Sequence, residues 1–172
     1  MLKLNHYMEI RTLAPAYSMK RYALWLIIIA LGSCTSIGDS NVLDSDDYST
    51  KEERVEILKQ QIQTYSSFEN AEFELFNVNG FTNSRLETPG PSSWDYKFAI
   101  KVRPEDVDKW MGGWVSFTPQ NYDAAWTQEI TATRKKDWKT AGDAEYFARK
   151  GDNVTMIVYR SQGIIFKRVI EE

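Results

Sequence analysis

Residues Trp94 to Val102 read WDYKFAIKV, and this alternation constrains the fold more than any other stretch of the chain. Successive side chains of a strand point to opposite faces. Trp94, Tyr96, Phe98, Ile100 and Val102 therefore share one side, with Asp95, Lys97 and Lys101 on the other. A strand with one apolar side is unstable by itself, and it needs neighbours in a sheet and a cover over that side.

Neighbours are legible on both sides of it. NVTMIVYR and GIIFKRVI flank Ser161-Gln162-Gly163 and predict a C-terminal β-hairpin. AEFELFNVNGF, Ala71 to Phe81, alternates Phe73, Leu75 and then Val78, and predicts a strand running into a tight turn at Asn79-Gly80. Trp126 to Lys135 reads as a further strand, with Trp126, Gln128, Ile130, Ala132 and Arg134 on one side and three threonines favouring β structure. For a cover, Thr50-Lys51-Glu52-Glu53 fits a capping box, and Val55, Leu58, Ile62 and Tyr65 follow at helical spacing. RPEDVDKWMGG predicts a short second helix, with Pro104 at its first position, acids in its first turn and Gly112-Gly113 at its end; Val107, Trp110 and Met111 form its inward face. The expected fold is α+β: an antiparallel sheet of four or five strands, one amphipathic helix packed on it, and a second short helix.

The N-terminal region is of another kind. From Met19 the chain reads MKRYALWLIIIALGSC: Lys20 and Arg21, an apolar stretch from Ala23 to Leu31, then Gly32 and Ser33. These are the charged, apolar and small-residue regions of a secretory signal peptide, and the run is shorter than the ~20 residues a spanning helix needs. Leu31-Gly32-Ser33-Cys34 resembles a bacterial lipobox. That resemblance implies cleavage between Ser33 and Cys34, a diacylglycerol on the Cys34 thiol and a fatty acid on its new amine. It also implies that Thr35, where an aspartate would retain a lipoprotein at the inner membrane, directs the protein to the outer membrane of the cell envelope. Two or three acyl chains make a lasting anchor where one does not. The eighteen residues before Met19 make an unusually long leading region, and the simplest account is that translation starts at Met19.

Residues 1–33 are then the signal peptide, residues 34–49 a lipid-anchored tether and residues 50–172 one domain. Thr35 to Ser49, TSIGDSNVLDSDDYS, has the composition of a solvated linker and reaches at most about 50 Å. Asp44, Asp46 and Asp47 lack the glycine and distal glutamate of a calcium loop, so no metal is expected there. The helix motif Val102 to Trp110, V-x-P-E-D-V-D-x-W, between a strand and a terminal hairpin resembles that of uncharacterised small secreted lipoproteins, and it implies no activity.

Net charge narrows the partners. The whole chain carries a formal −3, and residues 34–172 hold 17 basic against 23 acidic side chains. That sign disfavours nucleic acid. The only histidine, His6, and the only cysteine, Cys34, both lie at or before the cleavage site. Histidine- and thiol-based nucleophiles and His/Cys zinc sites are therefore excluded from the domain, and no cofactor or metal is expected.

What remains is aromatic and carboxylate chemistry. Trp114, Trp126 and Trp138 fall in less regular contexts than Trp94 and Trp110, and are the candidates for an aromatic surface that stacks on a glycan. Asp95, Glu105, Asp106 and Asp108 are the acids from which a hydrolase pair would come. Acids at a helix start are also explained by the helix dipole. RKKDWK, Arg134 to Lys139, reads as a solvated turn, and Asn153-Val154-Thr155 matches a glycosylation sequon short enough to arise by chance. The expected function is a membrane-anchored, non-enzymatic binding or interaction module with an envelope protein or glycan as partner. The alternative is a carboxylate-dependent cell-wall glycan hydrolase.

Overall fold

The computed structural model describes residues 41–81 and 93–171. The signal peptide, Ser33, Cys34 and the Pro89-Gly90-Pro91 loop lie outside these residues. Seven strands form one antiparallel sheet: β1 (Val42–Asp44), β2 (Phe68–Asn77), β3 (Trp94–Val102), β4 (Val115–Ser116), β5 (Glu145–Ala148), β6 (Val154–Tyr159) and β7 (Ile164–Glu171). The helices are α1 (Lys51–Gln61), α2 (Val107–Trp110) and α3 (Ala125–Glu129). The strand order is β1-β2-β3-β7-β6-β5-β4. Two meanders, β1 to β3 and β4 to β7, are thus joined in the middle by the pairing of β3 with β7. None of the described helices is long and apolar enough to cross a membrane.

The period-2 pattern sorts the core. Phe98, Ile100 and Val102 of β3 share a face with Phe73 and Leu75 of β2, Ile165 of β7 and Met156 and Val158 of β6. Leu58 of α1 and Val107 and Trp110 of α2 close this α1 face, and all three are buried. Thr50 caps α1 as its sequence specifies: its hydroxyl accepts from the Glu53 amide at 3.2 Å, and the Glu53 carboxylate accepts from the Thr50 amide at 3.1 Å. The opposite side of β3 is also covered over part of its length. Ala99 packs there with Phe166, Ile157 and Ile164 beneath Trp126 and Trp138. We call this the α3 face.

Three expectations are corrected. The sheet has seven strands rather than four or five, because β1, β4 and β5 are short and carry little alternation of their own. Trp126 to Lys135 is α3 followed by turns, not a strand. Trp126 and Ile130 are four apart and serve a helix as well as a strand. The Thr127 and Thr131 hydroxyls donate back to the Ala124 and Thr127 carbonyls at 2.8 Å each, which satisfies them within helical turns. Third, the segment read as the end of the tether belongs to the domain. Leu43 pairs with Leu75 and is 6% exposed. The 3₁₀ turn Ser45–Asp47 that follows buries Ser45.

A buried ionic cluster ties these pieces together. Glu72 on β2, 1% exposed, accepts from Arg134 Nε at 2.8 Å and Trp138 Nε1 at 3.3 Å, with Arg54 Nε of α1 at 3.5 Å. Arg134 also donates to the Ser45 carbonyl at 2.7 Å and pairs with Asp46 at 3.1 Å. A buried carboxylate needs such partners, since the cost of desolvating it is otherwise several kcal/mol.

Candidate functional site

The three tryptophans proposed as one aromatic surface are not brought together. Trp126 and Trp138 are 4% and 5% exposed and pack against Phe166 on the α3 face, with ring centroids 6.2 and 6.4 Å away. Trp114 packs against the core on the α1 face. The apolar area of Trp126 and Trp138 is spent on covering the sheet, so these three residues do not form one exposed aromatic surface.

Trp114 has another role. Its ring lies 5.0 Å from the Arg149 guanidinium and 5.2 Å from the Lys167 ammonium, and Lys167 also sits 5.9 Å from the Phe98 ring. Lys167 projects from β7 into the apolar face, in register with Phe98 of β3 and Met156 of β6. Burial pushes its ammonium down to about 8, and the Arg149 charge adds to the effect.

An open site exists elsewhere. The α3 face is covered only over its upper rows; the rows nearer the start of β6 and the end of β7 are open. There a groove of about 440 Å³ is lined by Tyr122, Asp123, Asp152, Asn153, Thr155 and Arg168, among others. Each lining group is placed by local chemistry. Arg168 points along the sheet because Asp95 on β3 takes it in two bonds, at 3.0 and 2.7 Å, which holds the guanidinium further above its usual pKa. Tyr122 is fixed through its hydroxyl, which accepts from Trp126 Nε1 at 3.1 Å. Phe117, Tyr122 and Tyr146 form a triangle of rings with centroids 6.0 to 6.4 Å apart, beside the groove. Burial raises the Tyr146 hydroxyl, keeping it protonated. Asp123 accepts from the Ala125 amide at 2.9 Å, at the start of α3.

The groove's volume is within the range of small-ligand sites, roughly 300 to 1,000 Å³. Amide, hydroxyl and carboxylate groups beside tyrosine rings are the groups that hydrogen-bond and stack on polyols. A second, smaller cleft of about 250 Å³ lies over Trp138, rimmed by Lys135, Lys139 and Thr140. Two of its hydroxyls, those of Thr127 and Thr131, are already committed to helix carbonyls.

The acids singled out for hydrolysis are engaged by cations. Asp95 pairs with Arg168; Asp106 lies 2.9 Å from Arg103 and 2.7 Å from Lys109. Glu105 lies 3.4 Å from Arg103, and Asp108 pairs with Arg160. Among the described residues no group of three or more His, Cys, Asp or Glu side chains is arranged to hold a metal.

Sequence reasoning missed Tyr122, Asn153, Thr155 and Arg168 as groove residues. Arg168 was visible only as a polar position of the final strand, and Asn153 and Thr155 only as a chance sequon. Their convergence comes from β6 and β7 register and from the Tyr122 loop, which no local pattern encodes. No protein-family model, curated protein or solved structure matches the chain.

Proposed function

We propose that this protein is a bacterial envelope lipoprotein, held by acyl chains on Cys34 at the outer membrane, whose domain is a non-enzymatic glycan-binding module. The observation that carries the anchor is the sequence Leu31-Gly32-Ser33-Cys34 behind Lys20, Arg21 and a short apolar run. The groove between Tyr122 and the β6–β7 hairpin supplies the binding chemistry. Binding is favoured over hydrolysis because Asp95, Glu105, Asp106 and Asp108 each have a cationic partner, whereas a glycosidase needs two carboxyls facing one another across roughly 5 to 10 Å.

Two measurements test the two halves. The mass of the mature protein should equal a chain beginning at Cys34 plus a diacylglycerol and a fatty acid, and Cys34→Ala should leave the membrane fraction. An unlipidated product would remove the anchor. For the groove, N-acetylglucosamine oligomers and the wall disaccharide should bind the protein. Asn153→Ala and Thr155→Val should each weaken binding about tenfold without lowering the melting temperature, one or two hydrogen bonds being worth about that much. Equal binding by both variants and the parent would remove the groove.

A further inference from the structure

The first strand begins at Val42, eight positions after Cys34, and the Asn41 carbonyl already accepts from the Asn77 amide at 2.9 Å. Only Thr35 to Ser40 separates the acylated residue from the sheet. Six residues span at most roughly 25 Å. That is half the reach read from composition. The anchored end of the sheet therefore stays at the membrane surface.

That end carries exposed apolar side chains. Val42, Phe76 and Val78 are 40%, 37% and 38% exposed. Val42 and Phe76 are register partners at the β1–β2 corner, where the chain arrives from the anchor, and Val78 lies in the turn that follows β2. The charged groups beside this pair give no attraction to an anionic surface: Asp44 and Glu74 are the neighbouring register partners, Asp46 and Asp47 follow, Glu74 meets Lys97 at 2.9 Å and Asp46 meets Arg134 at 3.1 Å. Attraction to a bilayer would then come from apolar contact rather than charge.

We infer that the β1–β2 corner, through Val42, Phe76 and Val78, rests on the phospholipid surface of the leaflet that holds Cys34, and that this contact fixes the orientation of the domain. The inference depends on Cys34 being acylated. The tether supplies a high local concentration, so three partly exposed side chains are enough to bias orientation even though they could not recruit the domain from solution. The groove lies on the same side of the sheet, three strand spacings or about 14 Å across from β2 to β6.

The test uses the full lipidated protein in phosphatidylethanolamine–phosphatidylglycerol vesicles doped with a nitroxide lipid. Cys34 is the only cysteine and acylation consumes its thiol, so a fluorophore can be placed at Val78→Cys or, at the opposite end of the sheet, at Ser161→Cys. We expect the Val78 label to be quenched about threefold more than the Ser161 label, with the contrast unchanged in 1 M salt because it is apolar in origin. Adding Phe76→Ser and Val42→Ser should bring the two labels to equal quenching. Equal quenching with Val42 and Phe76 intact, and the protein still vesicle-bound, would overturn the orientation and leave the lipoprotein reading intact. A contrast abolished by salt would overturn the apolar contact. A chain that takes up two fluorophores, one of them on a free Cys34 thiol, would overturn the lipoprotein reading and this inference with it.

Discussion

Lys167 is the residue most at odds with its surroundings. It stands in a row of Phe98, Met156 and Phe147 on the α1 face, and the two rings within 6 Å compensate a desolvated ammonium only in part. Its folded pKa, about 8, lies below the ordinary 10.5. Below pH 8 both folded and unfolded chains hold the proton, and the full cost of the buried charge is present. Between pH 8 and 10.5 the unfolded chain binds a proton that the folded chain does not, so stability rises with pH across that window. Lys167→Met should therefore stabilise the domain at pH 7 by about 1 kcal/mol, after allowance for partial solvent access, or roughly 3 to 5 °C in melting temperature. Its advantage should shrink by pH 10, and melting curves at the two pH values check this. An advantage independent of pH would assign the gain to packing rather than to the charge. The alternation of NVTMIVYR and GIIFKRVI locates Lys167 on a strand, but its side of the sheet follows from pairing with β3, which lies far away in sequence.

At the scale of elements, what was legible follows from how local the determining interactions are. β3 and α1 carry their own signals, a clean alternation and a reciprocal cap, and the structure begins and ends β3 at Trp94 and Val102. The terminal hairpin is likewise marked by its own residues. Its turn adds a constraint the pattern does not state. Gly163 has φ of +63°, and a Cβ there would meet the Val102 carbonyl oxygen at 2.0 Å. The same residue's carbonyl accepts from the Val102 amide at 2.8 Å, so the hairpin end is pinned to β3 and cannot back away. Gly163→Ala should cost on the order of 3 kcal/mol, combining left-handed backbone strain with a backbone clash. Urea unfolding would show it as a lower midpoint at unchanged slope, and a loss under 1 kcal/mol would mean the turn relaxes freely. By contrast β1, β4 and β5 have two to four residues each, too few for a period to show. They are strands because longer neighbours present edges to them. α3 was misread because an apolar pair four apart among threonines satisfies both periods.

For the whole molecule, the boundary of the domain is set by contacts between distant segments. Composition places that boundary at Thr50, since Asp44 to Ser49 is acidic and polar. The structure places it at Val42, because Leu43 fills the α1 face while Ser45 and Asp46 complete the shell of Arg134, and Arg134 in turn neutralises Glu72. A chain starting at Asn41 should unfold in one cooperative transition. A chain starting at Thr50 loses a buried leucine worth about 2 kcal/mol, and leaves Arg134 short of two partners beside a buried carboxylate. It also exposes the Glu74 to Phe76 edge of β2 to pairing with other chains. Against a typical total of about 5 to 15 kcal/mol, that loss is a large fraction of the stability. The shorter chain should melt at least about 10 °C lower or aggregate, in side-by-side thermal unfolding and size-exclusion chromatography. Equal stability of the two chains would return residues 42–49 to the role of a tether.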